Sequence, residues 1–168
     1  MGKLYNAAGW VNWDYIMQQN ESIISVVGAR GTGKTYGCFR WLIEHKQRFI
    51  YLRRLKSQLE ECRKEAGNPF KKINTDCGIN IIPFASAGSV LFNYEERNGD
   101  NAAVGVALSV VANIRGVDFS DFDYIVFDEF ILSDGERPIK NEYQAFLNFY
   151  ETVNRNRELE GKPAVKCV

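Results

Sequence analysis

Hydrophobic positions along the 168-residue chain alternate between two spacings. Residues 22–27 (SIISVV) form a short β-branched run ending at a glycine, which predicts a buried strand. From Lys34 to about Gln47, Cys38, Trp41 and Leu42 recur at helical spacing and predict a helix. RFIYLR at 48–53 predicts a strand, and KSQLEECRKEA at 56–66 a polar helix ended near Gly67 and Pro69. INIIPF at 79–84, SVLFNYE at 89–95 and AVGVALSVV at 103–111 predict strands, with a turn at Asn98-Gly99-Asp100. DYIVFDEF at 123–130 is an apolar strand running into two acids. Residues 141–157 predict an amphipathic helix with Tyr143, Phe146, Phe149 and Val153 on one side. The closing PAVKCV predicts a buried strand. With no repeat and no linker, 1–168 is expected to be a single domain. The alternation predicts a three-layer α/β fold: a mostly parallel central sheet flanked by helices, with an inserted β region.

Composition narrows this picture by exclusion. The chain is 45% hydrophobic and 25% charged, ordinary globular proportions. No apolar run approaches the ~18 residues of a membrane span, and MGKLYNAAGW lacks the apolar core of a signal peptide. The expectation is a soluble cytoplasmic protein with no membrane partner. Twenty-one basic residues balance 21 acidic ones. That excludes a domain gripping nucleic acid over its whole surface, but not a local basic strip such as Arg53, Arg54 and Lys56. The four cysteines, Cys38, Cys62, Cys77 and Cys167, fall in no metal-ligand spacing, and one histidine, His45, completes no zinc set. They are expected to be reduced thiols, mostly core filler.

Candidate chemistry concentrates in Gly28-Ala29-Arg30-Gly31-Thr32-Gly33-Lys34-Thr35, which matches GxxxxGK[ST] in full. A predicted strand precedes it and a predicted helix follows, the context a P-loop requires. The glycines let backbone N–H groups converge on phosphate oxygens, and the helix start adds partial positive charge. Lys34 would bring a full charge to the β/γ-phosphates, and the Thr35 hydroxyl a ligand for Mg²⁺. Ile125-Val126-Phe127-Asp128-Glu129 has the form of a Walker B strand. Asp128 would hold Mg²⁺ through water, and Glu129 would polarise the water attacking the γ-phosphate. Alone, that segment would read as a solvated acidic turn; the loop upstream changes the reading. An acid directly after Asp128 marks the ASCE division of P-loop NTPases (additional strand, catalytic Glu) and favours hydrolysis over phosphoryl transfer. GTPase base-reading motifs are absent from the sequence.

Several cations could serve a site shared between subunits. Arg155 and Arg157, in Asn154-Arg155-Asn156-Arg157, are suited to neutralise a transferring phosphoryl in trans. Both equally suit a solvated helix end. Arg115, in Asn113-Ile114-Arg115-Gly116, reads either as a second such group or as a turn arginine. Arg30 could reach phosphates or a neighbour. The strip of Arg53, Arg54 and Lys56 reads most simply as a solvated face, although one cation per subunit becomes a ring of charge around a pore. Tyr5, Trp10, Trp13 and Tyr15 suit core packing, with stacking on adenine as the alternative.

GARGTGKTY, FIYLRR, YIVFDEFI and ETVNRNRE, in that order, resemble the DNA-packaging ATPases (encapsidation proteins) of phi29-like phages. The resemblance runs from about residue 20 to the C-terminus, with a weaker match over Tyr5-Asn6; residues 67–112 align poorly. It implies an ATP- and Mg²⁺-dependent ring motor, pentameric at the portal or connector of an empty capsid, driving double-stranded DNA inward. Such proteins are similar to the large terminases and to the FtsK/HerA branch of P-loop ATPases. They work in the cytoplasm of the infected host cell, transiently at the portal vertex. By position, Lys34, Thr35, Asp128 and Glu129 keep the roles above. Arg155 falls on the family's arginine finger, Arg115 on a basic position proposed to act on the neighbour's nucleotide, and Lys56 on one suspected of facing DNA. Family members continue into a nuclease-like domain. The expectation is therefore an N-terminal ATPase domain that hydrolyses weakly and forms no ring by itself. The competing readings are another ring or helicase-type ATPase acting on nucleic acid, and a nucleotide-dependent binding switch.

Overall fold

The centre of the molecule is the strand FIYLR, whose alternate side chains feed two cores. In a computed structural model that describes residues 4–113, 118–132 and 134–168, this strand is β1 (Phe49–Arg53). Phe49 and Tyr51 join one buried cluster, and Ile50 and Leu52 join the other. A strand buried on both faces is expected at the centre of a parallel sheet. Its parallel neighbours are β4 (Asn101–Ala107) and β5 (Tyr124–Phe127), and β5 pairs in parallel with β6 (Lys166–Cys167). The hairpin β2 (Ile81–Ser86) and β3 (Ser89–Tyr94) adds to β4 in antiparallel fashion. The resulting order is β2-β3-β4-β1-β5-β6, a mixed α/β arrangement with the expected inserted β region.

Five α-helices among the described residues flank this sheet: α1 (Trp13–Met17), α2 (Lys34–Glu44), α3 (Lys56–Glu61), α4 (Lys71–Cys77) and α5 (Glu142–Asn154). α1 to α4 contribute to the first cluster, where Phe39 of α2 meets Phe49, Tyr51 and Phe70 at ring separations of 4.9 to 5.1 Å. Each fully buried phenylalanine there contributes roughly 2–3 kcal/mol. α5 closes the opposite face through Phe149 and Val153. The cysteines are free thiols, buried at Cys38, Cys62 and Cys167 and half-buried at Cys77, as expected of core filler. No helix among the described residues is long and apolar enough to cross a membrane.

Several local expectations differ from the structure. The run 22–27 is not a full strand: it contributes one parallel bridge, Ile23 to Cys167. It lies beyond β6, which offers only two residues, and Ile23 and Val27 are 48% and 63% exposed. α3 stops at Glu61, and a short 3₁₀ turn covers Glu65–Gly67. The strand predicted to 111 ends at Ala107 and gives way to a 3₁₀ helix, Leu108–Asn113. α5 ends at Asn154, three residues early.

Candidate nucleotide-binding site

Parallel pairing of β1 with β5 puts the ends of two strands side by side, with Leu52 opposite Phe127. The residues that follow are Arg53-Arg54 on one strand and Asp128-Glu129 on the other. Two arginines thus emerge beside two acids, and successive residues point to opposite sides of the sheet.

The glycine-rich loop arrives at the same end. Gly31 and Gly33 adopt φ of +79° and +77°, and Gly33 caps the start of α2. Side chains at these positions would be strained, which is why glycine is required there. Lys34 Nζ donates to the carbonyls of Gly28 (2.8 Å) and Ala29 (2.7 Å), drawing its ammonium across the loop. Thr35 Oγ1 donates to Asp128 Oδ1 at 2.8 Å, joining residues 93 positions apart. These hydroxyl and carboxylate oxygens are hard donors of the kind Mg²⁺ takes.

Arg53 crosses the same space. Its Nη1 donates to Asp128 Oδ2 (3.2 Å) and to the Tyr51 hydroxyl (3.1 Å), and its Nη2 to Glu129 Oε2 (2.5 Å). The buried Nε has no partner among the described residues. Burial opposes the guanidinium charge, but Tyr51, Glu129 and Asp128 outweigh it and lift the Arg53 pKa above the ordinary range. Burial, then the Asp128 charge, pushes the Tyr51 hydroxyl well above its usual value. The phenol therefore stays protonated and donates to Asp128 Oδ2 at 3.3 Å.

Glu129 is a non-glycine residue at φ +55°. Its turn is held from behind by Arg54, 2% exposed, which donates to the carbonyls of Glu129 (3.2 Å) and Phe130 and to both carboxylate oxygens of Glu142. The basic strip read from the sequence is accordingly not a solvated face. Arg53 and Arg54 are committed to carboxylates, and Lys56 alone stays exposed, 3.6 Å from Glu60. An arginine pair closing a strand beside one that closes in two acids was the available signal, once the strands were known to be neighbours.

The remaining arginines separate cleanly. Arg157 is 3% exposed and donates to the carbonyls of Pro163 (2.8 Å) and Phe122 (3.2 Å) and to Asp123. Arg155 leaves α5 at ψ 130°, is exposed, and its guanidinium has no partner among the described residues. Arg30 is exposed on the loop. Arg115 lies outside the described residues.

Sequence reasoning also missed how the N-terminal aromatics are used. Residues 5–11 form a hook closed by a bridge between Tyr5 and Val11, and Val11 N donates to Thr32 O at 3.0 Å. Trp13 is core, and its Nε1 donates to Gly33 O at 3.1 Å. A methyl group at Gly37 would meet the Trp13 ring at 2.6 Å, so this helix-interior glycine makes room for the indole.

The matches to known proteins agree with this architecture. The podovirus DNA encapsidation protein (Gp16) family matches residues 5–166. The DNA packaging protein of Bacillus phage phi29 is 29% identical over 98% of this chain and 45% of its own length. That of Bacillus phage B103 is 31% identical over 79% of this chain and 40% of its own. The chain thus spans less than half the length of the curated relatives it matches. The N-terminal domain of the phi29 DNA packaging ATPase superposes with a TM-score of 0.68 at 28% identity, covering 94% of this chain and 76% of that one. The bacteriophage phi29 genome packaging motor assembly gives 0.67 at 28% identity, covering 95% and 46%. Family, sheet and loop point the same way, and the chain belongs to the podovirus DNA encapsidation protein (Gp16) family.

Proposed function

We propose that this chain is the ATP-hydrolysing part of a homo-oligomeric ring, pentameric at a capsid portal in the host cytoplasm, that drives double-stranded DNA into an empty capsid. The observation that carries the reading is the Thr35–Asp128 hydrogen bond at 2.8 Å, made beside a lysine that spans the glycine-rich loop. A chance glycine-rich turn has no reason to meet a strand-end carboxylate 93 residues away.

The sheet order supports the ASCE assignment. β6 lies between β5 and the segment entering the P-loop, as an additional strand would. Thr35 and Asp128 would hold Mg²⁺, whose chemistry when bound is to neutralise charge on the β- and γ-phosphate oxygens. Backbone amides of residues 28–35, with Lys34, would cradle the triphosphate. Glu129 would orient the attacking water once its bond to Arg53 is exchanged. Arg155, exposed and uncommitted, is the arginine free to reach a neighbour's phosphates, whereas Arg157 is fully engaged within the fold. Lys56 is the exposed cation of its strip and would meet DNA phosphates.

The experiment is ATP turnover by the full-length protein with and without double-stranded DNA. Stimulation by DNA, lost in Lys34→Ala and Glu129→Gln, is expected. Turnover that ignores DNA would favour a binding switch, and turnover that survives both substitutions would end the ATPase reading.

A further inference from the structure

The N-terminal hook leaves a cleft beside the glycine-rich loop. Its volume is about 520 Å³, within the range of small-molecule sites. Trp10, Asn12, Gly33, Tyr36 and Gly37 are among the residues that line it. Gly33 and Tyr36 flank Lys34 and Thr35 in sequence, so the cleft adjoins the loop that would hold a triphosphate.

Trp10 is the unusual member. Its indole lies so close to Gly33 that a methyl group there would meet the ring at 2.7 Å, yet the residue remains 42% exposed. It meets Tyr36 edge-on, with ring centroids 6.1 Å apart at 74°. Core packing accounts for Trp13, at 7% exposure, but not for Trp10. Asn12 spends its Oδ1 on the Tyr15 amide, leaving its NH₂ with no partner among the described residues. The cleft thus offers an aromatic surface with a free amide donor. Three carboxylates (Asp14, Glu44, Asp76) outnumber two cations (Arg40, Lys72) on its walls, a balance suited to a neutral ring rather than to phosphate.

We propose that this cleft seats the base of the bound nucleotide, with the Trp10 indole as its stacking surface and the Asn12 amide as a donor to a ring nitrogen. The proposal rests on the nucleotide reading above. Stacking of a base on an aromatic side chain changes affinity on the order of tenfold or more.

The test is calorimetric titration of this chain, in magnesium buffer, with ATP and separately with inorganic tripolyphosphate. Trp10→Ala is expected to weaken ATP about tenfold while tripolyphosphate binding stays within about twofold, and Trp10→Phe to restore most of the ATP affinity. If Trp10→Ala weakens both ligands alike while Trp10→Phe restores neither, the indole only shapes the loop and the base site is overturned. ATP binding unchanged in Trp10→Ala overturns it equally. A wild-type chain that ignores tripolyphosphate, and binds ATP undiminished after Lys34→Ala, would instead remove the nucleotide reading underneath.

Discussion

Arg54, just past the end of β1, shares its single Nε–H between both carboxylate oxygens of Glu142, in the first turn of α5, at 3.0 and 3.1 Å. The pair is structural in origin but sits directly behind the Glu129 turn, because Arg54 also donates to the Glu129 and Phe130 carbonyls. Glu142 further accepts the Ile139 amide at 3.0 Å, tying the loop before α5 to the same group.

Breaking one side of this pair should be costly. Glu142→Gln leaves a guanidinium at 2% exposure with Glu136, 3.9 Å away, as its carboxylate partner, and is expected to lower stability by about 1.5–3 kcal/mol in denaturant unfolding. Replacing both partners, Arg54→Met with Glu142→Leu, should recover only part of that loss: no buried guanidinium is left unpaired, but the partly exposed Glu136 loses its cation and the Ile139 amide its acceptor. ATP turnover should not recover with it, because the carbonyls of the Glu129 turn lose their donors. A double variant that regains both properties would show that Arg54 does not position the turn.

Legibility in the sequence followed the strength of local constraint. Residues 28–35 and the strand running into Asp128 were readable because spacing and chemistry are fixed together there. α2 and α5 were readable from their apolar spacing. α4 was not, since its seven residues (KKINTDC) bury only Ile73, and such a short helix takes its stability from packing. SIISVV carries a strand pattern but finds a two-residue partner, so pairing stops at one bridge. The fates of Arg53 and Arg54 depended on β1 and β5 being neighbours, a fact of topology rather than of composition.

Glu129 offers a test that separates strain from chemistry. At φ +55° its backbone carries a cost of about 1 kcal/mol that glycine would not bear. Its ion pair with Arg53 is partly exposed on the glutamate side and contributes on the order of 1 kcal/mol or less. Glu129→Gly also gains unfolded-state entropy, which offsets part of the relief. The glycine variant is therefore expected to match Glu129→Gln in stability or exceed it by up to ~1 kcal/mol. Both should lack ATP turnover. A glycine variant clearly less stable than the glutamine variant in urea unfolding would contradict the strained turn.

Alkaline pH should weaken the fold through its buried thiols. Burial pushes Cys167 up to about 12 from an ordinary 9.0 and raises Cys38 well above its usual value. A thiol whose folded pKa exceeds its unfolded one contributes stability that is whole below pH 9.0 and lost as pH rises toward 12. By pH 10, Cys167 alone should have cost on the order of 1 kcal/mol. Melting temperature should fall between pH 8 and pH 10, and fall less steeply in Cys167→Ala. Identical slopes for the two proteins would mean that this thiol is not desolvated in solution.

The two arginines after α5 make opposite predictions. Arg157→Ala removes the donor to the Pro163 and Phe122 carbonyls and should destabilise the chain by about 2–3 kcal/mol, through acceptors left unpaired. Arg155→Ala removes an exposed side chain with no partner among the described residues, and melting should stay within the ±0.5 kcal/mol typical of surface changes. In the full-length protein, Arg155→Ala should nevertheless lower ATP turnover by about 10³-fold if it completes a neighbour's site. Mixing Arg155→Ala subunits with Lys34→Ala subunits tests that arrangement directly. A mixed ring contains interfaces where an intact Arg155 faces an intact Lys34, so turnover should reappear and peak at intermediate ratios. Turnover absent at every ratio, in rings shown to form, would place the arginine's effect within its own subunit.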